Sequence, residues 1–111
     1  MAQNLFNIKI ITNGDMSGNI TSDEIDLSKV DGYAIQADYT GSPTGDIKIQ
    51  CSVNGSTWAD YPSSEVAIPT ATSPILWEIT TAFYDKVRVI YTASSGSGTL
   101  NVQINVKGTE D

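Results

Sequence analysis

Residues 32–58, GYAIQADYTGSPTGDIKIQCSVNGSTW, decide the fold class of this chain. Tyr33, Ile35, Ala37 and Tyr39 alternate with Ala34, Gln36, Asp38 and Thr40. A period of two places one set on each face of a half-buried strand. Residues 41–45, Gly-Ser-Pro-Thr-Gly, are turn chemistry: glycine reaches positive φ, and proline fixes its own φ and withholds a backbone donor. Ile47, Ile49, Cys51 and Val53 resume the alternation against Lys48, Gln50 and Ser52. Asn54-Gly55 then predicts a type I′ hairpin, whose two central residues both need positive φ, with a return strand over residues 56–61. The stretch therefore reads as a three-strand meander.

The flanking segments follow the same rules. Residues 4–12 predict a strand with Phe6, Ile8 and Ile10 on one face, and Ile11 breaks its alternation. Residues 20–27 predict a weaker strand interrupted by Asp23, Glu24 and Asp26, charges of the kind that blunt a sheet edge. Short strands are expected around residues 65–68 and 75–79, with a surface loop at 69–74 and a corner at Phe83 and Tyr84. Residues 86–92 and 99–107 alternate most cleanly, and residues 108–111 read as a frayed acidic tail. No window sustains a helical period. The expected fold is all-β: one antiparallel β-sandwich domain over residues 1–111, jelly-roll-like, with about eight or nine short strands. Residues 37–50 and 89–103 echo each other: strand, Tyr-Thr, small-residue turn, Gly, then an alternating strand ending in Gln. Two structurally related halves facing each other across the core would produce this, and so would chance likeness between two hairpins.

Composition narrows the function. In 111 residues the net charge is −7, and the six basic residues, Lys9, Lys29, Lys48, Lys86, Arg88 and Lys107, stand singly. Nucleic acid and anionic membranes attract clustered Lys and Arg, so neither is an expected partner. The first ten residues lack a basic segment followed by an apolar run, so synthesis in a reducing cytoplasm without a standard export signal is expected. Cys51, the one cysteine, falls on the apolar face, where a thiol packs as a small hydrophobe.

No catalytic constellation is legible. With no histidine, Ser-His-Asp and Cys-His catalysis and His-containing zinc sites are excluded. No glycine-rich stretch leads into Lys-Ser or Lys-Thr, so no P-loop is present. Asp15, Asp23, Glu24, Asp26 and Asp31 carry oxygens that calcium accepts, but turn and edge-strand roles account for them without a metal, and no cofactor is expected. Trp58, Tyr61, Trp77, Phe83 and Tyr84 admit two readings. Either they form a stacking platform for a glycan, or the tryptophans fill the core or seal its ends. The second is favoured.

The motif Ser-Val-Asn-Gly-Ser-Thr-Trp at residues 52–58, preceded by the Tyr-Thr-Gly-Ser-x-x-Gly turn at 39–45, resembles small β-sandwich proteins of tailed-phage virions. Residues 87–92, the Ser-Gly turn after them and Gly-Thr-Leu-Asn-Val at 98–102 are similar to that family too, so the likeness spans roughly residues 20–108. It implies a non-enzymatic virion component, of the capsid-decoration, head-fibre or tail-accessory kind. Its implied partners are other virion proteins and further copies of itself, in an oligomer or lattice. The residues expected at a contact or glycan surface are Phe6, Ile8, Trp58, Tyr61 and Trp77. The alternative is a carbohydrate-binding module, with or without calcium.

Overall fold

The structure is a computed structural model that describes residues 2–27, 30–69, 73–79 and 85–110. In chain order the strands are β1 (Ala2–Asp15), β2 (Ile20–Thr21), β3 (Ile25–Asp26), β4 (Val30–Gly41) and β5 (Thr44–Ser52). They continue with β6 (Ala59–Asp60), β7 (Val66–Ile68), β8 (Ile75–Ile79), β9 (Lys86–Ser95) and β10 (Gly98–Glu110). Sheet I has the order β1-β10-β4-β8, and sheet II is β2-β9-β5-β6, with β3 also on β9 and β7 also on β5. The pairings within both sheets are antiparallel.

β2 and β3 are one interrupted strand on the edge of β9, and β6 with β7 is another on the edge of β5. Eight strand positions then remain, and the sheets read 1-8-3-6 and 2-7-4-5, the jelly-roll arrangement. Both interruptions are bridged by a buried serine. Ser22 Oγ accepts the Val89 N–H (2.8 Å) on one edge of sheet II, and Ser64 Oγ accepts the Ile49 N–H (3.1 Å) on the other. Each hydroxyl satisfies a donor that the broken ladder would leave unpaired in the core.

Three sequence expectations change. The meander is one. β4 lies in sheet I and β5 in sheet II, so residues 41–44 form an arch from one sheet to the other, not a hairpin. The echo explains itself in the same way. The second arch joins β9 to β10, and the two arches pair with each other: β4 runs against β10 and β5 against β9. Tyr39 opposes Leu100 as Tyr91 opposes Ile47, and Gly41 opposes Gly98 as Ala93 opposes Gly45. The repeated motif is thus a local two-fold relation between neighbouring arches, in place of two halves facing across the core.

Asn54-Gly55 does not form a type I′ turn either. Gly55 has φ +81°, but Asn54 is not in the positive-φ region, and the return strand shrinks from residues 56–61 to Ala59–Asp60. The Asn54 side chain shapes this loop. Its Oδ1 accepts from the backbone N–H of Ser56 (2.9 Å) and Thr57 (2.8 Å), while Ser52 Oγ accepts from Gly55 N (2.8 Å). An Asn side chain that mimics a backbone turn competes with the tighter hairpin.

The third change is length. β1, β4 and β10 have 14, 12 and 13 residues, because sheet I extends beyond the shorter sheet II. A 14-residue strand at ~3.4 Å per residue is about 48 Å long, matching the 47 Å long axis of the molecule. β10 runs on to Glu110, so residues 108–110, expected to fray, pair instead with the start of β1, and Asp111 lies outside the described residues. Phe83, Tyr84 and residues 70–72 of the expected loop lie outside the described residues.

The core lies between the sheets. β10 contributes Leu100, Val102, Ile104 and Val106, and β4 contributes Tyr33, Ile35 and Ala37. Sheet II answers with Ile47, Ile49, Cys51, Val87, Val89 and Tyr91. Cys51 is buried, with its sulfur 3.9 Å from the Tyr33 hydroxyl. Burial pushes the Tyr91 phenol above its ordinary value, and the Asp46 carboxylate adds to the shift.

The arches leave no room for a side chain at Gly41, Gly45, Gly96 or Gly98. A Cβ on Gly98 would collide with the Thr40 carbonyl oxygen, and one on Gly45 with the Thr92 carbonyl oxygen, whereas at Gly18 it meets nothing within 4 Å. Gly98→Ala and Gly45→Ala should each cost about 1–3 kcal/mol of overpacking strain, with Gly18→Ala close to neutral. Urea denaturation of the three variants measures this.

Candidate functional site

The five surface residues expected from sequence separate into three places. Tyr61 and Trp77 meet at one side seam of the sandwich. Trp77 lies on the inner face of β8, the edge of sheet I, where it alternates with exposed Leu76 and Glu78 and opposes Ile35. Its indole N–H donates to the Ser64 carbonyl (3.0 Å) in the β6–β7 connection of sheet II, so the ring ties the two sheet edges together. Tyr61 packs half-buried against the same core, and its N–H donates to the Ile49 carbonyl (2.8 Å). Both serve to seal the sandwich, although neither is fully buried. On the opposite side, the Asp23 N–H donates to the Ile10 carbonyl (3.2 Å) and joins the β2–β3 link to β1.

Trp58 sits elsewhere, on the outer face of sheet II. The Arg88 guanidinium carbon is 4.1 Å from its ring centroid, a cation–π contact. Arg88 also donates from Nε (3.0 Å) and Nη2 (2.9 Å) to Gln50 Oε1. Gln50 Nε2 donates to Asp60 Oδ1 (3.0 Å), and Lys48 Nζ to Asp60 Oδ2 (3.1 Å). Trp58, Arg88, Gln50, Asp60 and Lys48 thus form one chain of contacts that orients a half-buried ring. Trp58 therefore belongs neither to the core nor to a common plane with Tyr61 and Trp77. Arg88 and Gln50 were missed as site residues. Their signal in the sequence was strand parity, since both alternate with core positions, but parity cannot show that they oppose each other or that Trp58 returns over them.

Basic residues scattered along the chain also gather here. Lys48, Lys86 and Arg88 share the outer face of sheet II, but Lys48 pairs with Asp60 and Lys86 with Glu24 (3.6 Å). The face is charged in both signs, not cationic. Hydrogen bonding from Gln50 and then Lys48 holds the Asp60 carboxyl below its ordinary value. Asp15 is likewise lowered, by the Ser17 backbone N–H (3.0 Å) and then its hydroxyl (2.7 Å), which makes it a turn residue closing β1. Among the described residues no three Asp, Glu or Cys side chains are placed to hold a metal ion.

Phe6 and Ile8 occupy the third place. They oppose Val106 and Ile104, so they lie on the inner face of sheet I. Even so, Phe6 is 53% exposed and Ile8 37%, because this end of β1 is an edge that sheet II does not cover. A register shift between Lys9 and Ile11 marks a bulge, after which Ile10 and Ile11 are both buried. The broken alternation at Ile11 is this bulge.

Neither a protein-family model nor a curated protein matches the sequence. Solved structures do share the fold. The SPBc2 prophage-derived protein YomS superposes with a TM-score of 0.75 at 9% identity, over 97% of this chain and 96% of its own. The PBSX exported protein XepA gives 0.64 at 13% identity, and there the match covers 96% of this chain but only 38% of XepA. PirA gives 0.50 at 11% identity, covering 92% of each chain. At these identities the likeness shows the fold.

Asp60 supplies a pH test. Its folded-state pKa is below the ordinary 3.8, so its contribution to stability is fully present above that value and fades as pH falls through the lower folded value. The gap in urea midpoint between the wild type and Asp60→Asn should therefore be open at neutral pH and close in strong acid. Separately, Trp77→Phe keeps an aromatic side chain but loses the bond to Ser64 and part of the ring, and should cost at least about 1 kcal/mol in denaturation experiments.

Proposed function

We propose that this chain is a non-enzymatic structural component of a bacteriophage particle, a decoration or head or tail accessory protein, that works through contacts with other virion proteins and with copies of itself. The observation that carries the reading is the exposed apolar edge of β1. Phe6 and Ile8 lie on the core-facing side of this edge strand and stay exposed, although their partners Val106 and Ile104 are buried, beside a long sheet edge whose backbone groups are open to another strand. A monomer gains nothing from displaying a rigid apolar face, whereas an assembly buries it. Trp58 and Arg88 support the reading from the other sheet, since a pre-oriented Trp and Arg are the residue types that anchor protein interfaces. The prophage origin of YomS, whose fold this chain shares, supports the phage setting.

Light scattering on the purified protein tests it. The wild type should be oligomeric at micromolar concentration and above, and the double variant Phe6→Lys, Ile8→Lys should be monomeric with an unchanged β-sheet circular dichroism spectrum. A wild type that stays monomeric at high concentration would count against self-association. Mass spectrometry of purified phage particles from the source should find the chain, and its absence there would remove the virion assignment.

A further inference from the structure

The outer face of sheet I differs in kind from that of sheet II. Sheet II presents Lys48, Asp60, Lys86 and Arg88 in ion pairs and a cation–π contact. The middle of sheet I presents uncharged amides instead: Asn7 on β1, Asn101, Gln103 and Asn105 on β10, and Gln36 on β4. They alternate with the buried core residues of the same strands, so packing did not select them.

Two depressions cross this face. One, of about 110 Å³, is lined by Ala34, Gln36, Leu76, Gln103 and Asn105. The other, of about 310 Å³, is lined by Lys9, Ile11, Thr12, Asp38, Asn101 and Gln103. Gln103 lines both, so the two depressions lie on either side of it along a path from β8 across β4 and β10 to β1. Three strand spacings of ~4.8 Å make that path about 14 Å long. The β1 bulge beside Ile11 borders the larger depression.

The polar groups of the groove are only partly used. Asn7 donates to Asn105 Oδ1 (2.7 Å), and Asn101 Oδ1 accepts the Asn13 N–H (2.8 Å). Gln36 reaches Asp38 at 3.5 Å. The Gln103 amide, at the junction, has no side-chain hydrogen bond among the described residues. Each amide offers both donors and acceptors, and covering it without a partner is costly. A ligand that covers this face must therefore donate and accept along its whole length. Hydroxyls do both, which an apolar protein surface does not. Leu76, 64% exposed, and Ala34 supply an apolar patch for the C–H face of a sugar ring. Lys9 and Asp38 flank β10 with opposite signs, so the groove favours no net charge.

We infer that this groove binds a neutral polysaccharide chain, with Gln103 as its central hydrogen-bonding residue and Leu76 as its apolar end. The site is distinct from Trp58 outside sheet II and from the seam at Tyr61 and Trp77, and does not depend on self-association through β1.

Affinity electrophoresis of the full chain, through gels holding hydroxyethylcellulose, galactomannan, dextran or anionic polygalacturonate, tests it. Retardation by at least one neutral polymer is expected, about tenfold weaker for Gln103→Ala or Leu76→Ala and unchanged for Trp58→Ala and for the Phe6→Lys, Ile8→Lys variant. Circular dichroism checks that each variant is folded; Leu76 is exposed enough that its truncation serves if Gln103→Ala is not. The inference is overturned by no retardation in any neutral gel, by retardation in the anionic gel alone, by equal retardation of both groove variants, or by loss of retardation in Trp58→Ala.

Discussion

The close approach of two arches holds this molecule together. Where β4 turns into β5 and β9 into β10, the backbones meet with Gly41 opposite Gly98, and the Ser42 N–H donates to the Ser97 carbonyl (2.9 Å). That contact needs glycine at positions where a methyl group would strike a carbonyl oxygen. Once the arches are seated, the registers of both central strand pairs are set together: β4 against β10 above the core and β5 against β9 below it. A slip of one residue in either pair would turn a whole row of Ile, Val and Tyr side chains out to water.

Everything outside the four central strands adapts to that frame. The edges of sheet II are interrupted, and two buried serines, Ser22 and Ser64, complete the ladders where they break. The seams between the sheets are closed by Trp77 on one side and by the Asp23–Ile10 bond on the other. β1 is the free edge of sheet I, so Phe6 and Ile8 stay exposed there while their partners Val106 and Ile104 are buried. The surfaces that could act are therefore by-products of a free sheet edge and of parity: an apolar edge on β1, an aromatic–arginine pair outside sheet II and an amide face outside sheet I.

Parity was legible in the sequence because it is local. The alternation of Leu100, Val102, Ile104 and Val106 with Asn101, Gln103, Asn105 and Lys107 identifies a strand and its two faces before any partner is known. The charged edge at Asp23 and Glu24, the buried Cys51 and the irregularity at Ile11 were legible for the same reason. The Asn54-Gly55 turn misled, because the same dipeptide suits a tight hairpin and a loop organised by the Asn side chain. Only the hydrogen bonds from Ser56 and Thr57 to Asn54 separate the two.

By itself, then, the sequence determined an all-β sandwich, the identity of its core faces, and the repeated Tyr-Thr–turn–Gly unit at residues 39–45 and 91–98. Tertiary structure alone decided that each of those units passes between sheets and that the two units pair with one another. A small-residue turn between two alternating strands has the same composition whether the strands hydrogen-bond to each other or to distant partners. Only the competition among all possible pairings, settled by burying every apolar row at once, distinguishes an arch from a hairpin. The same competition brought Arg88 over Trp58 and set Gln103 between Lys9 and Gln36, groups that lie far apart along the chain.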